Sequence, residues 1–212
     1  MVQIPLIKEA LGAMRCACIE MEGYEADDLI GTVSLLCDEK KIACRILTGD
    51  KDDLQLASDN TVIRLVVTRM GKTTTTDYDA IQVKEKYGVT PKEFIDVKGL
   101  MGDPSDNIPG VAGIGEKGAL KLIADFGSLD EVYAALDTTD KVSEKQKEKL
   151  LLSKEDAFLS QSLARIDIHA PCGVTLEDTR RAEVDKAALY DLFTKLEFNV
   201  FLKRMGLTDA VK

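Results

Sequence analysis

The chain has little with which to hold a soft or borderline metal ion. Its 212 residues include one histidine, His169, and five cysteines, Cys16, Cys18, Cys37, Cys44 and Cys172. The cysteines are odd in number and scattered, unlike a disulfide framework. Cys16 and Cys18, at alternate positions of a strand-like segment, share a face that could pin a metal. The expectation is instead that they are small buried hydrophobes in a reducing compartment. Aromatic residues make up only 5% of the chain and are not interleaved with basic ones, so a stacking platform for single-stranded bases is not expected. No apolar run approaches the length of a membrane span, and the N-terminus lacks the charged-then-apolar layout of a signal peptide. A soluble, cytoplasmic protein is expected. Basic excess is missing too. The formal net charge is −9, whereas a strong electrostatic grip on nucleic acid needs a basic face.

Hydrophobic residues, 45% of the chain, are enough for a proper core in one large or two small domains. Apolar spacing predicts a short helix over residues 5–14, a strand over 16–21, a helix over 26–40 and a strand over 43–47. Strand, helix, strand with short links implies a parallel sheet. Residues 62–67 and 72–78 read as a strand pair joined near Arg69, Met70 and Gly71. After Asp79 the strand signals fade. Thr90-Pro91 is a helix start, with threonine as cap and proline at the first helical position. Helices are expected to Met101 and over 116–126, 129–136, 144–152, 155–163 and 186–196, with a last turn to Met205. The reading is an α/β layer over residues 1–78 and a helical region over 79–212.

What is abundant is acid in particular places. Glu25, Asp27 and Asp28 follow the first expected strand, and Asp50 and Asp52 follow the second. In an open parallel sheet both groups fall at the carboxyl ends of strands, where functional crevices lie. An aspartate at a helix start is commonplace as a cap, and Asp27 or Asp53 alone is read that way. A set of five converging carboxylates repels itself unless cations are present, which favours a metal site. With no histidine or cysteine in these motifs, the metal is magnesium or manganese rather than zinc.

The densest signal is Gly102-Asp103-Pro104-Ser105-Asp106-Asn107-Ile108-Pro109-Gly110-Val111-Ala112-Gly113-Ile114-Gly115-Glu116-Lys117. Two carboxylates three apart in a Pro/Gly-rich loop suit a hard divalent cation. A glycine turn feeding a helix N-terminus suits a phosphate. Metal beside phosphate points to phosphodiester chemistry.

This stretch, together with Gly23-Tyr24-Glu25-Ala26-Asp27-Asp28-Leu29 and Thr48-Gly49-Asp50-Lys51-Asp52, resembles the flap endonuclease family, which includes the 5′ nuclease domain of bacterial DNA polymerase I. The likeness runs from about Gln3 to about Met205. It implies a PIN-like (resolvase-like) α/β core followed by a helical, helix-hairpin-helix (H3TH-like) region. It implies a two-metal Mg2+ or Mn2+ site on Glu25, Asp27, Asp28, Asp50 and Asp52, completed by Asp103 and Asp106. It also implies DNA contact through Gly110, Val111, Gly113, Ile114 and Gly115, with Lys117 and Lys121 beside them, and a potassium ion at that turn. The substrate it implies is branched, flapped or nicked duplex DNA. Gly118 stands where the family usually has threonine. The family's first strand with its aspartate, and its basic arch, have no counterpart here, so the core is expected to be N-terminally incomplete and the nuclease poor. The alternatives are a non-catalytic DNA-binding fragment, or one half of a split nuclease whose partner polypeptide supplies the missing segment. The lysine-rich run 141–154 reads as a solvated helix face, and His169 as part of an inert linker.

Overall fold

The computed structural model describes residues 3–207. In chain order it forms α1 (Gln3–Ala13), α2 (Ala26–Glu39), β1 (Cys44–Thr48), β2 (Thr61–Arg69), β3 (Lys72–Tyr78), α3 (Ala80–Tyr87) and α4 (Pro91–Met101). Then come α5 (Glu116–Phe126), α6 (Leu129–Ala135), α7 (Glu144–Leu152), α8 (Lys154–Leu163), α9 (Lys186–Lys195) and α10 (Asn199–Arg204). A 3₁₀ turn, Asp52–Leu56, follows β1. The chain divides into two compact units, Ala26–Ala170 and Met1–Glu25 with Pro171–Lys212.

The larger unit holds a sheet of order β1-β2-β3. β1 and β2 are parallel, with Ile46 opposite Ile63, and residues 49–60 give the dozen-residue connection that parallel strands need. β2 and β3 are antiparallel, with Arg69 opposite Lys72. The two residues between, Met70 and Gly71, both have positive φ, the primed turn whose twist matches a hairpin.

The parallel pairing expected to bracket α2 is not what forms. Residues 16–21 form no strand, and the parallel pair is β1 with β2. A strand persists only where a ladder partner or a sheltered apolar face holds it. Here the side chains stay half or fully exposed, and Glu20 pairs instead with Lys8 of α1 at 2.5 Å. The expectation of buried thiols fails with the strand. Cys18 is exposed and Cys16 half-buried, while Cys37 is the buried cysteine.

One core runs through the larger unit from Ile46, Leu54 and Ile63 on the sheet side to Phe94, Val97 and Leu100 of α4, then to Ala119, Ile123 and Ala157. It is continuous across Tyr78, so packing groups the α/β layer with the first helices of the helical region. Helix α4 is anchored as its sequence suggests. Thr90 and Glu93 exchange bonds with each other's backbone N–H in a capping box, and Pro91 opens the helix. At Gly99 an added Cβ would come 2.9 Å from Gln161 and 3.0 Å from the Ala157 carbonyl, which is how α4 and α8 approach so closely. Helix α3 was not foreseen. Its apolar signal is weak, with Val83 alone buried, but a capping box of Asp79 with Gln82 and a left-handed Gly88 mark its two ends.

In the smaller unit α1, α9 and α10 enclose Leu189, Leu192, Phe193, Leu202 and Leu207, with Leu6, Ala10 and Met14 packed against them. Asp185 caps α9, and its own N–H bonds the Ala13 carbonyl at 2.9 Å. No helix among the described residues is long and apolar enough to cross a membrane.

Candidate functional site

The acidic motif after β1 folds on itself through short backbone bonds. The Asp50 N–H donates to the Thr48 hydroxyl at 2.9 Å, and the Asp52 N–H donates to Asp50 Oδ1 at 2.9 Å. The 3₁₀ turn then carries Leu54 into the core. Asp50 stays exposed, Asp52 is half-buried and Asp53 is fully buried. Asp27 and Asp28 lie in the first turn of α2, where they complement the helix dipole. Asp28 also accepts the Asp167 N–H at 2.8 Å, tying α2 to the segment after α8. Glu25 is exposed and belongs to the smaller unit.

The loop after α4 is closed by a pair of backbone bonds between Asp103 and Ile108, at 2.9 and 2.8 Å. Gly102 makes the closure feasible. Its φ is +66°, and a Cβ there would lie 2.5 Å from the Ile108 carbonyl. Asp103 Oδ1 accepts the Ser105 N–H at 2.9 Å, which fixes its rotamer. Asp106 is exposed at the tip of this loop.

Lys98 joins the two motifs. Its ammonium lies 2.7 Å from Asp52 Oδ1 and 2.6 Å from Asp103 Oδ2, and only 3% of its side chain is exposed. The sequence reading missed this residue, although a signal was present. Phe94, Val97, Lys98 and Met101 follow the i, i+3, i+4, i+7 spacing of a core-facing stripe, and a lysine in that stripe needs an acidic partner. The structure thus brings Asp52 and Asp103 onto one cation-sized point, with Asp50 one backbone bond away. Among the described residues no three His, Cys, Asp or Glu side chains come together as a ready-made metal ligand set. The donor type nevertheless fits a hard ion. The groups are carboxylate oxygens, and the ammonium between two of them stands where a cation is electrostatically favoured.

Charge states follow from these contacts. The hydrogen bond from Lys98, then that from Ser105, lowers the Asp103 pKa to about 2. Its folded value lies below the unfolded one, so it contributes stability above about pH 4 that is lost as pH falls toward 2. Burial raises the Asp52 pKa even though Lys98 opposes the shift. Burial would lower the Lys98 pKa, but the bonds to Asp103 and Asp52 turn the balance upward. Asp53 is 0% exposed, and burial raises its pKa against an opposing contact from the Thr48 hydroxyl. A buried carboxylate whose pKa is raised costs stability at neutral pH, and protonation relieves the cost. Asp53→Asn keeps the shape without the charge. It is expected to stabilise the protein at pH 7 by about 1–3 kcal/mol, with the gain shrinking as pH falls through the raised pKa. Thermal melts at pH 7 and pH 4 check this; a lower melting temperature at pH 7 would contradict it.

The glycine turn lies next along the chain. The side chains of Val111 and Ile114 are buried, at 2% and 6% exposure, so among the expected DNA contacts these two face the core. The Gly110 N–H is taken by the Ser160 hydroxyl at 2.9 Å. What remains outward is the exposed backbone at Gly113 and Gly115, then the N-terminus of α5, which no side chain caps. First-turn amides of an uncapped helix need an outside acceptor. Lys117 and Lys121 are exposed one turn apart on α5. Lys51, between the two aspartates of the loop after β1, reaches Glu116 of α5 at 3.0 Å and links that loop to the turn.

Comparison with known proteins fits this geometry. Residues 1–88 match the family model "5′-3′ exonuclease, N-terminal resolvase-like domain", and residues 89–187 match "5′-3′ exonuclease, C-terminal SAM fold". DNA polymerase I of Caldicellulosiruptor bescii is 46% identical over 211 residues, covering 100% of this chain and 24% of the relative. DNA polymerase I of Bacillus subtilis is 42% identical over 98% of this chain and 23% of its own length. The chain therefore spans about a quarter of the curated relatives it matches. Among solved structures, T5 5′-exonuclease with bound divalent metal ions (zinc) superposes with a TM-score of 0.58 at 25% identity, covering 82% of this chain and 60% of that one. The catalytic core of Rad2 in complex with DNA substrate gives a TM-score of 0.63 at 18% identity, over 92% of this chain and 64% of that one, a likeness of fold. With both family models matched in order, the chain belongs to the 5′-3′ exonuclease family.

Proposed function

We propose that this chain is a divalent-metal-dependent 5′ nuclease module acting on flapped, branched or nicked duplex DNA. One observation carries the reading: Asp52 and Asp103, from separate motifs, converge on the Lys98 ammonium at 2.7 and 2.6 Å. They do so in the unit that also presents the uncapped N-terminus of α5. Asp50, Asp52 and Asp103 would hold Mg2+ or Mn2+, with Asp27, Asp28 and Asp106 as the other expected ligands that lie in the larger unit. The chemistry a bound divalent ion supplies is activation of a water and stabilisation of a leaving phosphate oxygen. The chain's own part is positioning and charge. The α5 amides, Lys117 and Lys121 orient the phosphate backbone, while Lys98 keeps Asp103 ionised and its rotamer fixed. A potassium ion on the turn's carbonyls would belong to the same reading. A cytoplasmic location is part of the same proposal.

A second reading, structure-specific DNA binding without cleavage, is favoured by the lack of a ready-made three-ligand group among the described residues. The experiment is incubation of a labelled 5′-flap duplex with Mg2+ or Mn2+, with chelator as control. Slow, metal-dependent cutting near the junction is the expected result, in keeping with the poor nuclease that the sequence predicts. Junction-selective binding with no cutting would sink the nuclease reading in favour of the second.

A further inference from the structure

The lysine-rich run that reads as a solvated face is divided by the structure among different neighbours. Lys141 lies over the Phe126 ring at 5.5 Å, and Lys154 over the Tyr133 ring at 5.4 Å. Lys147 pairs with Asp137 at 2.8 Å. Lys149 of α7 does something else. It crosses to the glycine turn and donates to the Gly113 carbonyl at 3.4 Å. Gly113, at φ +76°, leaves the room for it, since a Cβ there would lie 2.5 Å from the lysine Nζ.

The acceptor is a neutral carbonyl, so this contact brings no counter-charge to the ammonium. The turn feeds directly into α5, whose uncapped N-terminus carries the positive end of the helix dipole. Two positive features side by side repel one another unless an anion lies between them. We infer that Lys149 is a phosphate-contacting, positioning residue of the DNA face, brought by α7 to complete the grip begun by the α5 amides. The inference rests on the reading above that this turn meets duplex DNA. It names a contact from a segment 36 positions beyond the turn, one that the motif itself does not contain.

The test is duplex binding by fluorescence anisotropy in chelator, over a range of KCl, for wild type, Lys149→Gln and Lys149→Arg, with melts alongside. Glutamine still offers an N–H to the Gly113 carbonyl but no charge. Lys149→Gln is expected to bind 5′-flap duplex about 3–10-fold more weakly at low salt, with the log–log salt slope shallower by about 0.9. Lys149→Arg is expected to keep affinity and slope. Unchanged affinity and slope in Lys149→Gln would show a purely structural lysine and overturn the inference while leaving the DNA reading intact. Absence of duplex binding by the wild type would overturn that reading and this inference with it.

Discussion

Lys98→Met is expected to lower the melting temperature by roughly 6–20 °C in the absence of metal. The lysine is almost wholly buried, and its loss leaves Asp52 and Asp103 facing each other without a counter-charge. Removing one partner of a buried ion pair typically costs about 3–5 kcal/mol, because the remaining charge stays buried and uncompensated. For a chain of 212 residues each kcal/mol moves the melting temperature by about 2–4 °C. Magnesium or manganese should recover part of the loss, since a divalent ion binding the folded carboxylates stabilises the native state by mass action. The metal-induced rise in melting temperature should thus be larger in Lys98→Met than in wild type. Melts with and without metal check both parts. A variant melting within about 1 °C of wild type would mean that the two carboxylates are not held by this lysine.

Much of this arrangement was legible in the sequence, for local physical reasons. Apolar spacing placed α4, α5 and α7 almost residue for residue, and Thr90-Pro91 marked the start of α4, because such signals lie within one turn of the ends they mark. The hairpin of β2 and β3 followed from β-branched flanks and Gly71. The strand expected over residues 16–21 did not form, because alternation records only that a segment could be a strand. Whether a ladder partner reaches it is a tertiary fact.

The site divides along the same line. The carboxylate types and the loop that carries Asp103 could be read from local sequence, since glycine and proline spacing reports a tight turn directly. Lys98 could not be assigned a partner, because Asp52 lies 46 positions earlier and meets it only when α4 packs on the 3₁₀ turn. The family likeness implies DNA contact through the turn that holds Val111 and Ile114, and a backbone contact there leaves their side chains free to bury. The fold turns both inward, since an apolar side chain at the base of a turn gains more from the core than from a phosphate. Lys149 escaped notice because its helix reads as a uniform charged surface, and only the close approach of α7 to Gly113 separates it from its neighbours.

The central claim is that carboxylates from separate motifs hold one divalent centre in the larger unit. Mn2+ binding, followed by electron paramagnetic resonance of the free ion, tests it most directly in wild type, Asp50→Asn and Asp103→Asn. Loss of a mere hydrogen-bonding partner of a metal ligand costs about 10–100-fold in affinity. Loss of a ligand should cost at least as much. Wild type is therefore expected to take up Mn2+, with affinity reduced tenfold or more (a floor of about 10-fold) in each variant, and with both variants still folded by thermal melt. Mn2+ bound equally well by wild type and by both folded variants would contradict the account.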